Sequence, residues 1–273
     1  MAVTRDEIAA GLRSLGLEPG AGVFVHSSLR SFGHVEGGAE AVIGALTDVV
    51  GPEGTILMPA FDHGRVFGPG GPGIFDPRET PTSNGRIPDT FWRMPGVCRS
   101  LSPTHSFAAR GRHAARYTRD HHLTLTCGED SPLGLLMRDD GWQVNLGTTH
   151  RTSTAKHLAE TIHRAPCLGQ RTEVHPVRLP DGRVALHRTW SWRERRCPLN
   201  DPGDFIEADL DRLGLQRRAR IGECPVTLLR LRDLVRVVLD LLAQGRDGYP
   251  PCAACPIRPR CGPNSVASDW GEG

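Results

Sequence analysis

No apolar run in this chain reaches the roughly 18 residues of a membrane span, and its first residues, MAVTRDEIAAGLRSLG, hold no apolar core of signal-peptide length. An excess of one charge is also missing. The 33 Lys and Arg nearly cancel the 31 Asp and Glu, which argues against bulk electrostatic attraction to nucleic acid. Lysine is scarce, because almost all of the positive charge is arginine. Two motifs are absent as well. The glycine cluster Gly68-Pro69-Gly70-Gly71-Pro72-Gly73 contains prolines, which lack the amides a phosphate cradle needs. No His-Glu-x-x-His metalloprotease motif occurs. These absences lead us to expect a cytoplasmic protein with neither nucleic acid nor membrane as partner. In that compartment the eight cysteines are expected as thiols or metal ligands, not disulfides.

What is present begins with length: 273 residues can bury a large core, as one domain or one domain with an appendage. Thr4-x-x-Glu7 reads as a capping box that opens a helix with Ile8, Leu12 and Leu15 on its apolar face. Val23–His26 reads as a buried strand, followed by the small polar turn Ser27–Gly33. A helix is expected over about Gly38–Val50 and a second strand over Thr55–Pro59. Strand, turn, helix, turn, strand is the pattern of a parallel βαβ unit. The fold class is therefore α/β, with a central, largely parallel sheet flanked by helices. Ligands in such folds bind beyond the C-terminal ends of strands, which here are His26–Arg30 and Pro59–His63. The long Gly/Pro-rich loop Phe61–Pro95 is expected to form a substrate wall, with a short helix near Asp89–Met94. Farther along, Ser131 and Pro132 mark a helix start.

Trp142–Glu160 carries the strongest chemical signal. It reads as a strand (Trp142–Leu146), a polar turn, and a helix from about Ser153 that places His157 and Glu160 one turn apart on one face. A His beside a carboxylate there can deprotonate a nucleophile. The same spacing also suits an ordinary hydrogen-bonded pair, and, with His150, a metal-hydrolase ligand set. Glu173–Leu179 and Arg183–Thr189 pair across Pro180-Asp181-Gly182 as a hairpin. Helices are expected over Asp204–Leu213 and Leu228–Leu242. Beyond residue 247 the chain becomes a short Cys-rich tail, so we divide it into 1–247 and 248–273. Cys252, Cys255 and Cys261 need a fourth ligand to hold a structural zinc, for which Cys224 and Cys197 are the candidates and Cys224 is preferred. Unligated thiols and an iron–sulfur cluster are the other readings.

The order of six segments resembles the aminoglycoside 3-N-acetyltransferase family from about Val23 to Leu242. They are VHSSLRSFG (Val25–Gly33), GGAEAVIGAL (Gly37–Leu46), GPEGTILMPAF (Gly51–Phe61), SPTHSFAARG (Ser102–Gly111), GEDSPLGLL (Gly128–Leu136) and TSTAKHLAE (Thr152–Glu160). The resemblance implies acyl transfer from acetyl-coenzyme A to an amine of a small molecule. His157 would be the general base and Glu160 its carboxylate partner. It places Ser27, Ser28 and Leu29, with His105, Ser106 and the adjoining Phe107, along the coenzyme, and Arg30 within reach of a phosphate. A longer acyl-coenzyme A donor is the nearest alternative. The chain departs from the pattern at Arg151, where aminoglycoside-modifying members usually carry Asp, and at Ser153, where other members carry Asn. A polycationic aminoglycoside wants carboxylates around it, and arginine has the wrong sign. The expected acceptor is therefore a different amine, one that carries a carboxylate or phosphate if the arginine-rich segment His187–Arg196 lines the site instead of standing as solvated charge. Oligomeric state is not legible.

Overall fold

In the computed structural model the chain is described over residues 2–163, 171–190 and 203–244. The N-terminal half begins with α1 (Arg5–Ser14), β1 (Gly22–Ser27), α2 (Gly38–Val50) and β2 (Thr55–Pro59), and continues with α3 (Arg86–Trp92), β3 (Cys98–Arg99) and β4 (Phe107–Gly111). Next come α4 (Ala114–Thr118), α5 (Pro132–Arg138), β5 (Trp142–Leu146) and α6 (Lys156–Ile162). The last elements are β6 (Arg171–Arg178), β7 (Val184–Trp190), α7 (Gly203–Arg212), β8 (Gln216–Ile221), β9 (Cys224–Arg230) and α8 (Leu231–Gln244).

Seven strands form one sheet in the order β3-β4-β2-β1-β5-β9-β8. Its centre is parallel, with β1 paired to both β2 and β5. The flanking strands are antiparallel: β4 against β2, β3 against β4, β9 against β5 and β8 against β9. The expected α/β class with a largely parallel centre is what the chain adopts. Successive residues of β1 point to opposite faces, so one strand feeds two cores. Val23 and Val25 pack with Leu12 of α1 and Val42 and Leu46 of α2. Phe24 packs on the other face with Leu133, Leu158 and Leu234, from α5, α6 and α8. Strands buried on both faces read as apolar runs without alternation.

Local chemistry sets the ends of these elements. Both bonds of the capping box are present at α1, where Thr4 accepts from the Glu7 amide and Glu7 accepts from the Thr4 amide. At α5 the Ser131 hydroxyl accepts from the Gly134 amide, with Pro132 in the first turn. Gly51 at φ +65° closes α2, a conformation an L side chain adopts only with strain.

The long segment between β2 and β3 is ordered by polar contacts instead of periodicity. Asp62 accepts from the amides of Gly64 and Val66 at 2.9 and 2.7 Å. Arg99 lies between the rings of Trp92 and Phe75 and donates to the carbonyls of Ala60 and Thr80 at 2.5 Å each. Burial holds this guanidinium down to a pKa of about 10. The short helix falls at Arg86–Trp92, slightly earlier than expected.

Two expectations are corrected. Leu228–Leu242 is not one helix: Leu228–Arg230 finishes β9 and the helix starts at Leu231. Strands β8 and β9 were not foreseen. The β6–β7 hairpin forms about where expected, as a separate two-stranded sheet. No helix among the described residues is long and apolar enough to cross a membrane.

Candidate active site

The three parallel strands end on one edge of the sheet, and a cavity of about 630 Å³ opens there. β1 contributes His26 and Ser27, and the long segment contributes Phe61, His63 and Asn84. The turn after β5 supplies Thr148 and Arg151, the start of α6 supplies Lys156 and His157, and His105 also lines the cavity.

His157 and Glu160 meet as their spacing predicts. Nδ1 of His157 and Oε2 of Glu160 are 2.7 Å apart, with the imidazole 15% exposed and the carboxylate fully buried. A carboxylate can only accept, so Nδ1 carries the proton and Nε2 is the basic nitrogen. A buried carboxylate fixed on Nδ1 also stabilises the imidazolium that forms when Nε2 takes a proton.

A second histidine sets the position of α6. His26, at the end of β1, accepts at Nε2 from the amide of Thr154 at 3.1 Å. Burial, reinforced by His150, Lys156 and His157, holds its pKa down to about 3, so His26 is a neutral acceptor. Beneath it runs a buried polar ladder. Ser153 donates to Gln143 at 3.1 Å, Gln143 to Asn145 at 3.0 Å, and Asn145 to Thr227 of β9 at 3.0 Å. Ser153 thus ties the turn to the sheet.

The other candidates divide into two groups. Ser27 and His105 face the cavity with His157. The Ser27 hydroxyl is buried with no hydrogen-bond partner among the described residues, and the same is true of Thr148 beside it in the cavity wall. His105 packs on Phe61 at 4.7 Å between ring centroids, and burial lowers its pKa to about 3. Ser106 and Phe107 lie behind the wall: Ser106 donates to the Ala60 carbonyl at 2.6 Å, and Phe107 packs edge-on to Phe24. Ser28, Leu29 and Arg30 form the start of a short turn outside the cavity lining; the Ser28 amide donates to the Leu146 carbonyl at 2.8 Å, and Arg30 is exposed. His63, within the Pro59–His63 strand end where ligand binding is expected but with no role assigned to it, lines the cavity in a left-handed conformation at φ +58° and pairs its Nδ1 with the Ser83 hydroxyl at 3.0 Å.

The metal readings gain nothing here. His150 turns away from the cavity to donate to Gln216 at 3.1 Å, so it does not join His157 and Glu160. Cys224 is a core thiol in β9, its pKa raised to about 12 by burial. Cys197, Cys252, Cys255 and Cys261 lie outside the described residues, and no group of three or more metal-ligating side chains occurs among those described. The arginines between Arg193 and Arg196 also lie outside.

The family model for aminoglycoside 3-N-acetyltransferase matches residues 24–243. The chain belongs to the aminoglycoside 3-N-acetyltransferase family. It is similar to aminoglycoside N(3)-acetyltransferase VII of Streptomyces paromomycinus, with 32% identity over 267 residues covering 85% of this chain and 89% of that one. Aminoglycoside N(3)-acetyltransferase IV of Salmonella is 34% identical over 247 residues, covering 89% of this chain and 88% of the other. The solved structure of the family member AAC-IIIb in binary complex with CoASH superposes with a TM-score of 0.78 at 28% identity, covering 90% of this chain and 98% of that one. Against this family background one side chain is unusual in its own sequence: Lys156 is the only lysine of the chain, and it lies buried in the cavity wall.

Proposed function

We propose that this family member transfers the acetyl group of acetyl-coenzyme A to an amine of a small molecule, and that the amine is not a polycationic aminoglycoside. The His157–Glu160 pair at the cavity wall supports the first half. An ammonium cannot attack a thioester. Nε2 of His157 takes a proton from the acceptor nitrogen as that nitrogen attacks the thioester carbonyl, while Glu160 orients the ring and offsets its charge. The thiolate of coenzyme A leaves when the tetrahedral carbon collapses, and His157 returns the proton to it. The hydroxyls of Ser27 and Thr148, buried in the wall with no partner among the described residues, suit the developing oxyanion or the polar atoms of the pantetheine arm. His105 lines the same cavity, and the family resemblance assigns it to the coenzyme.

The second half rests on the sign of the wall. Among the described residues that line the cavity, Arg151 and Lys156 are cationic and none is Asp or Glu. The carboxylate of Glu160 is fully buried behind His157 and engaged by it. A polycation entering this cavity meets like charge from these two residues and no carboxylate among the described residues that line it. The test is a mass-spectrometric screen of amines with acetyl-coenzyme A. We expect acetylated products from small amines and poor turnover of gentamicin and apramycin. Failure to acetylate any amine overturns the acyltransferase reading; efficient acetylation of gentamicin or apramycin overturns the acceptor reading.

A further inference from the structure

Hydroxyls in and behind the cavity wall are spoken for. Ser106 donates to the Ala60 carbonyl at 2.6 Å, Ser153 to Gln143 at 3.1 Å, and Ser83 shares a bond with His63 at 3.0 Å. Ser27 and Thr148 depart from this pattern. Both residues line the cavity, yet their hydroxyl oxygens are buried and meet no hydrogen-bond partner among the described residues. Burying a hydroxyl without a bond costs free energy, so two such groups on one wall call for a use. Their backbones, by contrast, are tightly held. Ser27 ends β1 in register with Leu146 of β5, and Thr148 lies just beyond Leu146. The Ser28 amide donates to the Leu146 carbonyl at 2.8 Å. Between them, the Gly147 amide donates to the Pro225 carbonyl at 2.8 Å, and the Gly147 carbonyl accepts from the Ser31 hydroxyl at 3.1 Å.

The reaction creates an acceptor that these donors lack at rest. As the amine nitrogen bonds to the thioester carbon, the carbonyl oxygen takes up negative charge and needs donors aimed at it. We infer that Ser27 and Thr148 are catalytic residues that donate their hydroxyls to this oxygen, from two adjacent strand ends, while His157 takes the proton from the nitrogen. The inference rests on the acyltransferase reading and adds to it the groups that carry the negative charge. Neighbouring strands lie about 4.8 Å apart, so hydroxyls from adjacent strand ends can reach a single oxygen, whereas the polar atoms of the pantetheine arm are strung out along its length. With no bond to give up, each hydroxyl turns into the cavity for no more than a change of rotamer. The two hydroxyls keep their protons throughout. When the tetrahedral carbon collapses, the electron pair on its oxygen re-forms the carbonyl, the carbon–sulfur bond breaks, and the thiolate leaves with the proton that His157 returns.

The test removes each donor with little change of shape, in Ser27→Ala and Thr148→Val, and follows coenzyme A release with an amine that the parent protein acetylates. In each variant kcat is expected to fall by about 100-fold or more, the size of one oxyanion donor, with KM for acetyl-coenzyme A and the Tm shift it produces little changed. Thr148→Ser keeps a donor and is expected to retain most of kcat. The Tm of the Ala and Val variants is expected to hold or rise, because a buried polar group without a bond has been removed; a structural role moves it the other way. Should Thr148→Val fail to fold, Thr148→Ala removes the same donor. Parent-like kcat in either variant overturns the inference and leaves the acyltransferase reading standing. So does a rise in KM for acetyl-coenzyme A with kcat intact, since the hydroxyls would then hold the pantetheine arm. A fall in Tm that accounts for the lost activity, unrelieved in Thr148→Ser, overturns it as well. Absence of turnover by the parent protein with every amine overturns both readings.

Discussion

The amide of Thr154 donates to Nε2 of His26 across 3.1 Å, linking residues 128 positions apart in sequence. This bond joins the end of the central strand to the turn that delivers His157. Replacing His26 with Phe keeps a ring but removes the acceptor. The buried amide left behind costs about 1–3 kcal/mol, so Tm should fall, and kcat should fall more than KM for acetyl-coenzyme A because α6 loses its anchor. His26→Gln, whose carbonyl can accept, should recover part of both. Unchanged kcat and Tm in His26→Phe would contradict this role.

Acid should destabilise the fold before it reaches ordinary carboxylates. Burial holds His26 and His105 at about 3 and His121 at about 4, all well below an unfolded imidazole near 6.5. His121 also accepts from Ser100 at 2.8 Å and donates to the Thr126 carbonyl at 2.9 Å, a pattern that needs the neutral ring. Their stabilisation is complete above pH 6.5. Between there and pH 4 the unfolded chain binds protons that the folded chain does not, so stability falls with pH. The slope approaches roughly 1 kcal/mol per group per pH unit. Thermal melts from pH 7 to pH 4.5 should show a steep decline in Tm, and a flat profile would refute it.

Arg99 braces the segment that forms one wall of the cavity. Replacing it with Met leaves the carbonyls of Ala60 and Thr80 without their donor and should cost about 3 kcal/mol or more. Limited proteolysis should then cut between Phe61 and Gly85 first, because that stretch loses its tie to β3. Protection equal to the parent protein's would show that the segment is held by other contacts.

Much of this was legible in the residues, and the misses have physical causes. Capping chemistry is local, so Thr4, Ser131 and Pro132 announce their helices without knowledge of the fold. His157 and Glu160 are separated by one turn, so their contact follows from spacing alone. The end of β9 was lost because Leu228 and Leu229 are buried in the sheet and run straight into the apolar face of α8. Periodicity cannot find a boundary between two apolar runs. The cue lay in Gly222, whose φ of +57° makes the tight turn between β8 and β9. The partnership of His26 with Thr154 and the burial of Lys156 depend on contacts between distant segments, which no local pattern carries.

Acetyl-coenzyme A should stabilise the folded protein. At about 100 times its dissociation constant a ligand contributes roughly 2.7 kcal/mol, which a melt resolves as several degrees. Coenzyme A itself should act similarly, and acetylcysteamine, which lacks the phosphates and most of the pantetheine arm, should act weakly. No shift at millimolar acetyl-coenzyme A would mean the cavity does not take the coenzyme without the acceptor.

The central claim is that His157, held by Glu160, removes the proton from the acceptor amine. It is tested most directly by kcat of the His157→Ala protein with an amine that the parent protein acetylates, once its melt and its acetyl-coenzyme A shift are found intact. The account predicts a fall of at least ~100-fold, the lower range for loss of a general base. A folded, coenzyme-binding His157→Ala protein that turns over at near the parent rate would contradict it.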